Sequence, residues 1–138
     1  MNVDRDRLLH EAKTASTQAY APYSGFRVGA ALLCDDGTVF RGANIENRSY
    51  GLTNCAERSA LFAAVSAGHR SFAAIAVYTP DAKQAVPPCG ACRQVLSEFT
   101  SADFPVIFGG SEESRESTIG DLYPFDSLHD LKDRRRGS

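Results

Sequence analysis

No apolar run in this 138-residue chain approaches the roughly 18 residues that a membrane-spanning helix requires, so a helical membrane span is excluded. The opening residues, Met-Asn-Val-Asp-Arg-Asp-Arg, turn amphipathic at once and carry no apolar core of the signal-peptide kind. The expected compartment is therefore the cytoplasm, where thiols stay reduced. Cysteine is sparse. Cys34, Cys55, Cys89 and Cys92 are the full set of four, too few for a secreted disulfide scaffold. Excess positive charge is also missing: 15 Lys and Arg against 17 Asp and Glu give a net charge of -2, with no global attraction for nucleic acid. The single basic run, Arg134-Arg135-Arg136, sits in a tail from about 132 that reads as a frayed, solvated terminus. No repeat, low-complexity segment or linker interrupts the chain. Residues 1–138 thus read as a single domain, and an apolar content of 43% supplies a core for it.

What is present alternates between helix-period and strand-like segments. Leu8, Ala12, Ala15 and Ala19 recur at four, three and four residues, which predicts an amphipathic helix over 4–20 ended by Pro22. The apolar run 26–34 reads as a buried strand. Asp35-Asp36-Gly37 is hairpin-turn chemistry, and 38–44 is the return strand. A polar loop, 46–54, precedes a second helix over 55–67, with Asn54 as its N-cap and Gly68 as its stop. A strand at 73–78 follows, then a third helix opened by Pro87 and Pro88 and running to about Phe99, then a strand at 105–108. Residues 109–117 read as loop, with a short edge strand near 117–119 and a last short helix near 127–133. A strand-helix-strand unit makes its strands parallel, whereas the hairpin pair is antiparallel. The expected fold is an α/β three-layer α/β/α sandwich around a mixed, roughly five-stranded sheet. The second helix, Ser59-Ala60-Leu61-Phe62-Ala63-Ala64-Val65, is apolar almost all round, so its second side is expected to meet another subunit of a homo-oligomer.

The chemistry concentrates in Cys55-Ala56-Glu57 and Pro88-Cys89-Gly90-Ala91-Cys92. Cys89 and Cys92 are three apart and share a helix face. All three thiols fall at predicted helix N-termini, where the dipole and free N–H groups favour the thiolate. Three protein ligands leave a tetrahedral Zn2+ one open position, as a catalytic zinc needs. A ligand-x-Glu segment paired with a downstream Pro-Cys-x-x-Cys matches a zinc-deaminase signature, here with cysteine as first ligand. Each part also has a plainer reading. Cys-x-x-Cys alone fits a redox pair, Cys55 alone fits core packing, and Glu57 stands three after Asn54, in the capping-box position. Cys34 lies within a strand and reads as a buried apolar residue. Three thiolates leave the site at a net charge of -1, so a cation beside the sulfurs is expected. Arg58 is the first candidate for that supporting role and Arg93 the second.

Three segments then carry a closer likeness: Tyr23-Ser24-Gly25-Phe26-Arg27-Val28-Gly29-Ala30-Ala31-Leu32, the stretch from Asn44-Ile45-Glu46 through Tyr50-Gly51-Leu52-Thr53-Asn54-Cys55-Ala56-Glu57-Arg58, and Pro87-Pro88-Cys89-Gly90-Ala91-Cys92-Arg93-Gln94. Over residues of about 20 to 100 the chain resembles the small, homotetrameric, zinc-dependent cytidine deaminases of pyrimidine salvage. The resemblance implies that Asn44 and Glu46 hold the ribose, that Phe26 packs on the pyrimidine, and that the backbone of Ala56 binds the pyrimidine carbonyl. It also implies that Tyr50 reaches a neighbouring subunit's site. Without it, Asn44 and Glu46 read as turn-formers and Phe26 as core strand. The family's Leu-Leu-Pro-x-x-Phe, whose phenylalanine stacks on a neighbour's substrate, is matched here by Leu122-Tyr123-Pro124-Phe125 with two residues fewer before Phe125.

The implied reaction converts cytidine, or 2'-deoxycytidine, and water to the uracil nucleoside and ammonia. Glu57 would take a proton from the water, deliver it to N3 and then protonate the leaving amino group. Cys55 and Glu57 are separated by about 200° of helix rotation, so a site that uses both must lie over the helix end. Three other functions compete: deamination of another small aminopyrimidine such as a nucleoside antibiotic, deamination of a polynucleotide, and a non-enzymatic zinc or redox module. Asn44 and Glu46 oppose the first, and the lack of a basic groove opposes the second. A structural zinc would take a fourth protein ligand, which opposes the third. The expected partner is a small-molecule nucleoside, with no nucleic acid and no membrane.

Overall fold

Alternate residues of three neighbouring strands divide between two cores. From β1 (Gly29–Cys34), Ala30, Leu32 and Cys34 enter one core, and Ala31 packs into the other with Leu33 against it. From β3 (Phe72–Thr79), Ile75 and Val77 join the first, and Ala74, Ala76 and Tyr78 the second. From β4 (Pro105–Gly110), Val106 and Phe108 oppose Ile107 in the same way. A sheet that buries both faces needs a helical layer on each. In a computed structural model of the protein, which describes residues 2–126, those layers are present. The helix α1 (Arg5–Ser16) covers one face with Leu8 and Ala12. The helices α2 (Ala56–Ser66) and α3 (Gly90–Phe99) cover the other with Ala60, Leu61, Ala64 and Leu96. Each fully buried leucine or isoleucine, such as Leu32, Leu61 and Ile75, contributes about 1.5–3 kcal/mol relative to exposure.

The remaining strands are β2 (Val39–Ala43) and β5 (Ser114–Thr118), with a final one-turn helix α4 (Ile119–Leu122). The sheet order is β2-β1-β3-β4-β5. Within this sheet of the described residues, β3 and β4 pair in parallel and the other neighbours are antiparallel. The mixed five-stranded α/β/α sandwich expected from the sequence is the fold observed.

Several boundaries differ from the sequence expectation. The first helix ends at Ser16 rather than near 20, because Tyr20 is drawn into extended pairing: its N–H donates to the Asn44 carbonyl at 2.9 Å and its carbonyl accepts from the Glu46 N–H at 2.8 Å. Tertiary pairing thus overrides helical periodicity. Residues 26–28 precede β1 instead of opening it. The third helix starts at Gly90, leaving Pro87 and Pro88 outside it. Cys55, not Asn54, is the N-cap of α2, so Glu57 stands at the second helical position and the capping-box reading fails. The edge strand β5 spans 114–118, where loop was expected. Its sequence, Ser-Arg-Glu-Ser-Thr, has no apolar alternation to reveal it, and its charge suits an open sheet edge. The short helix near 127–133 and the tail from about 132 lie outside the described residues.

The position of α2 depends on one glycine. A Cβ on Gly42 of β2 would lie 2.4 Å from the Ala60 nitrogen and 2.5 Å from the Ala56 carbonyl oxygen. The helix therefore rests directly on the strand backbone. Gly42→Ala should destabilise the protein by about 1–3 kcal/mol, as overpacking does, and should weaken metal retention by displacing the N-terminus of α2. Thermal unfolding with parallel measurement of bound zinc checks both effects; unchanged values of both would refute the close-packing account.

Candidate active site

The N-termini of α2 and α3 converge beside the C-terminal end of β3. Cys55 caps α2 and Cys89 caps α3, both in extended backbone conformation and neither with a side-chain capping hydrogen bond. Cys92 stands three residues into α3 and is fully buried. The Sγ atoms of Cys55 and Cys89 lie 3.8 Å apart, those of Cys89 and Cys92 3.4 Å apart, and all three sulfurs are within 4.8 Å of one another. Zinc–sulfur bonds of about 2.3 Å at a tetrahedral angle separate neighbouring sulfurs by about 3.8 Å, so this donor set fits one zinc ion.

Crowded thiols without a metal resist full ionisation. The hydrogen bond from Cys92, helped by Arg58 and Cys89, lowers the Cys55 pKa to about 5, and the same contact with burial raises Cys92. Nη2 of Arg58 donates to the Cys55 sulfur at 3.2 Å, and Nε is buried with no hydrogen-bond partner among the described residues. Of the two arginines considered from the sequence, Arg58 is therefore the one at the thiols. Arg93 is used elsewhere, donating to the carbonyls of Pro88 at 2.7 Å and Leu122 at 2.8 Å.

A cavity of about 320 Å³ opens onto this cluster, and its wall includes Phe26, Asn44, Glu46, Cys55, Ala56, Glu57 and Cys89. Glu57 is 4% exposed, and burial, with the neighbouring Cys55 thiolate adding, pushes its carboxyl up to about 7. A carboxyl near neutrality accepts and returns protons at comparable cost. Asn44 is also buried. Its Oδ1 accepts from the Val28 N–H and its Nδ2 donates to the Phe26 carbonyl, both at 2.9 Å. Glu46 accepts from the Ser24 hydroxyl and from the backbone N–H groups of Tyr23 and Ser24, which holds its carboxyl below the usual carboxylate range.

A family model described as the cytidine and deoxycytidylate deaminase zinc-binding region matches residues 2–108. The chain belongs to this family. It is 57% identical over 123 residues to a cytidine deaminase of Halalkalibacterium halodurans, covering 88% of this chain and 92% of that protein. It is 41% identical over 136 residues to a cytidine deaminase of Mycobacterium tuberculosis, covering 98% of each. A crystal structure of cytidine deaminase from Burkholderia pseudomallei superposes with a TM-score of 0.85 at 49% identity, over 88% of this chain and 98% of that one. The cofactor is zinc, in keeping with the family's zinc-binding region and the three-thiol cluster.

Two residues implied by the resemblance lie away from the cavity of this family member. Tyr50 is 72% exposed, edge-on to Tyr23 at a ring separation of 5.8 Å. Phe125 is 91% exposed, just beyond a segment tied to α3 by Arg93 and by the hydrogen bond of Tyr123 with Gln94. Sequence reasoning missed Ser24, Val77, Thr79 and Val86 of the cavity wall. Of these, Ser24 stood within a quoted segment, but nothing in its spacing marked it.

Reasoning from sequence also missed the clamp that holds the Phe26 loop. Arg27 binds Asp81, 54 positions away, through its backbone N–H at 2.8 Å, Nε at 3.0 Å and Nη2 at 2.7 Å. The clamp lowers the Asp81 pKa to about 2 from 3.8. Its stabilisation is therefore present above pH 4 and disappears as pH falls through about 2. Half of the arginine side chain is exposed, so solvent screens the pair and its contribution is small. Asp81→Asn should unfold more easily than the parent at pH 7, and the gap should close by about pH 2. Urea unfolding at a series of pH values checks this, and a gap independent of pH would exclude the charge pair as its source.

Proposed function

We propose that this chain carries out zinc-dependent hydrolytic deamination of cytidine with Cys55, Cys89 and Cys92 as metal ligands and Glu57 as the proton carrier. The observation that supports these roles is the placement of Glu57. A carboxyl that is 4% exposed, in the first turn of α2, lines the same cavity as two of the three thiols. When bound, zinc lowers the pKa of a water in its open position from about 16 toward about 7. Glu57 accepts a proton from the attacking water and returns it to N3 of the cytosine ring. After addition at C4, it takes the remaining proton from the new C4 hydroxyl and passes it to the departing amino group, so that C4–N breaks, the C4 carbonyl forms, and cytidine and water give uridine and ammonia. Burial keeps bulk water from competing for that proton. The free N–H of Ala56, in the unpaired first turn of α2, is positioned to donate to the pyrimidine carbonyl. Phe26 offers its ring to the base, and Asn44 and Glu46 offer polar groups to the sugar. Arg58 offsets negative charge at the sulfurs. The substrate range includes 2'-deoxycytidine, the compartment is the cytoplasm, and the setting is pyrimidine salvage.

Glu57→Gln should retain one zinc per chain and lose about a thousandfold in kcat on cytidine. Cys89→Ser should fail to retain the metal. Absorbance loss on cytidine, with zinc measured in the same samples, tests both. Wild-type turnover in Glu57→Gln would overturn the mechanism, and full zinc in Cys89→Ser would overturn the ligand set.

The working form proposed is a homotetramer with shared active sites. Phe62 on the outer face of α2 is 45% exposed, and Tyr20, Ile45, Tyr50, Leu52 and Phe125 are exposed as well. That much apolar side chain on a single chain favours burial against further copies. Tyr50 and Phe125 would then meet a neighbour's substrate. Sedimentation equilibrium should give four times the 14.9 kDa chain mass, and a monomer at micromolar concentration would refute the assembly.

A further inference from the structure

A second cluster of metal-ligating atoms lies at the other end of α2. Cys34 closes β1, Asp36 lies in the turn to β2, and His69 follows the C-terminus of α2 just after Gly68, whose φ of +100° reverses the chain. The Cys34 sulfur, a carboxylate oxygen of Asp36 and a ring nitrogen of His69 all lie within 4.8 Å of one another. These groups come from two loops that the fold brings together, as shown by the Asp35 N–H donating to the Ser71 carbonyl at 3.1 Å.

The exposed Asp36 and the half-buried His69 are preset. Asp36 Oδ1 accepts from the Thr38 N–H at 3.0 Å, which fixes the carboxylate and turns Oδ2 toward His69. The imidazole packs edge-on against Phe40 at a ring separation of 5.1 Å. Nδ1 of His69 and Oδ2 of Asp36 are 3.8 Å apart, beyond hydrogen-bond reach. Two bonds of about 2.1 Å at a tetrahedral angle set such a pair about 3.4 Å apart, so a small closure would seat an ion between them. Negative charge gathers around the sulfur. Burial raises the Cys34 thiol, and Asp36 and Asp35 raise it further. Arg70, the residue after His69, has its guanidinium engaged with the carbonyls of Val65 and His69 at 2.8 and 2.9 Å. The C-terminal end of α2 adds its own partial negative charge.

We propose that Cys34, Asp36 and His69 form a second divalent-metal site, distinct from the three-cysteine centre and suited to a borderline-soft cation such as Zn2+. Mixed sulfur, nitrogen and oxygen donors select that class of ion over Mg2+ or Ca2+. The site takes three protein ligands and leaves the remaining coordination to water. The 11 residues of α2 separate the two centres by about 16 Å, so each can fill independently. An ion held here ties the β1–β2 turn to the loop after α2. Because it binds only the folded chain, it raises the unfolding temperature as free zinc rises.

The test is equilibrium dialysis of untagged holoenzyme against increasing free Zn2+, with metal per chain read by mass spectrometry. The parent protein should climb from one equivalent to two. Asp36→Asn and His69→Gln should stop at one while keeping parental cytidine turnover. With Co2+ as the added probe, the second equivalent should bring a thiolate-to-metal charge-transfer band that Cys34→Ser lacks. A parent that stops at one equivalent would overturn the proposal, as would a second equivalent retained by both exposed-ligand variants. Should Cys34→Ser fail to fold, Asp36→Asn and His69→Gln decide the matter alone.

Discussion

Three thiolates cannot share a space under 5 Å across unless positive charge is supplied to them. The structure around the cavity supplies part of it. The helices α2 and α3 aim their N-termini at the sulfurs, each contributing roughly half a positive charge in partial dipoles. Arg58 donates directly to Cys55. A dication held by the three sulfurs would supply the remainder, and the hydrogen bond with Cys55, together with burial, raises the Cys92 thiol. Placing two helix starts at one point fixes much else. It requires α2 to lie against β2 closely enough that only Gly42 fits beneath it, and it requires β3 to lead through 80–89 into Cys89 at the right height.

Using cysteines as N-caps leaves the first turns of both helices without side-chain capping. An Asn or Ser at these positions would satisfy one backbone N–H each, worth about 1 kcal/mol. That local stabilisation is forgone. In exchange, sulfur takes the cap position at both helix starts. Glu57 follows from the same geometry. At the second helical position it stands near Cys55 and away from bulk water, and burial there raises its carboxyl toward neutrality.

The layered fold was readable because helix period and short continuous apolar runs are strong local signals, and β1, β3 and β4 are such runs. The thiols and Glu57 were readable because each sits at a helix start, which sequence marks with prolines, glycines and polar residues. What escaped was long-range or unpatterned. β5 is polar throughout, and Arg27 finds Asp81 across 54 positions. The end of α1 was misplaced because Tyr20 pairs with residues 44 and 46, a contact no window of a few residues contains. The Asn54 cap failed for a comparable reason: its backbone pairs with Ile45 in both directions, and its amide turns to Ser59.

Asn44 and Glu46 show how one residue satisfies two readings. Both were turn-formers on sequence grounds and ribose contacts by resemblance, and hydrogen-bond capacity allows both roles. An asparagine amide has two N–H donors and an oxygen with two lone pairs. Asn44 spends one N–H on the Phe26 carbonyl and one lone pair on the Val28 N–H, leaving one of each for a sugar hydroxyl. A carboxylate offers about four acceptor positions. Glu46 uses three, on Tyr23, on the Ser24 N–H and on the Ser24 hydroxyl, leaving one. The bonds that shape the loop over the cavity therefore also orient the groups left over. A hydroxyl arriving there meets side chains whose conformational entropy is already lost, so it gains contact without ordering them.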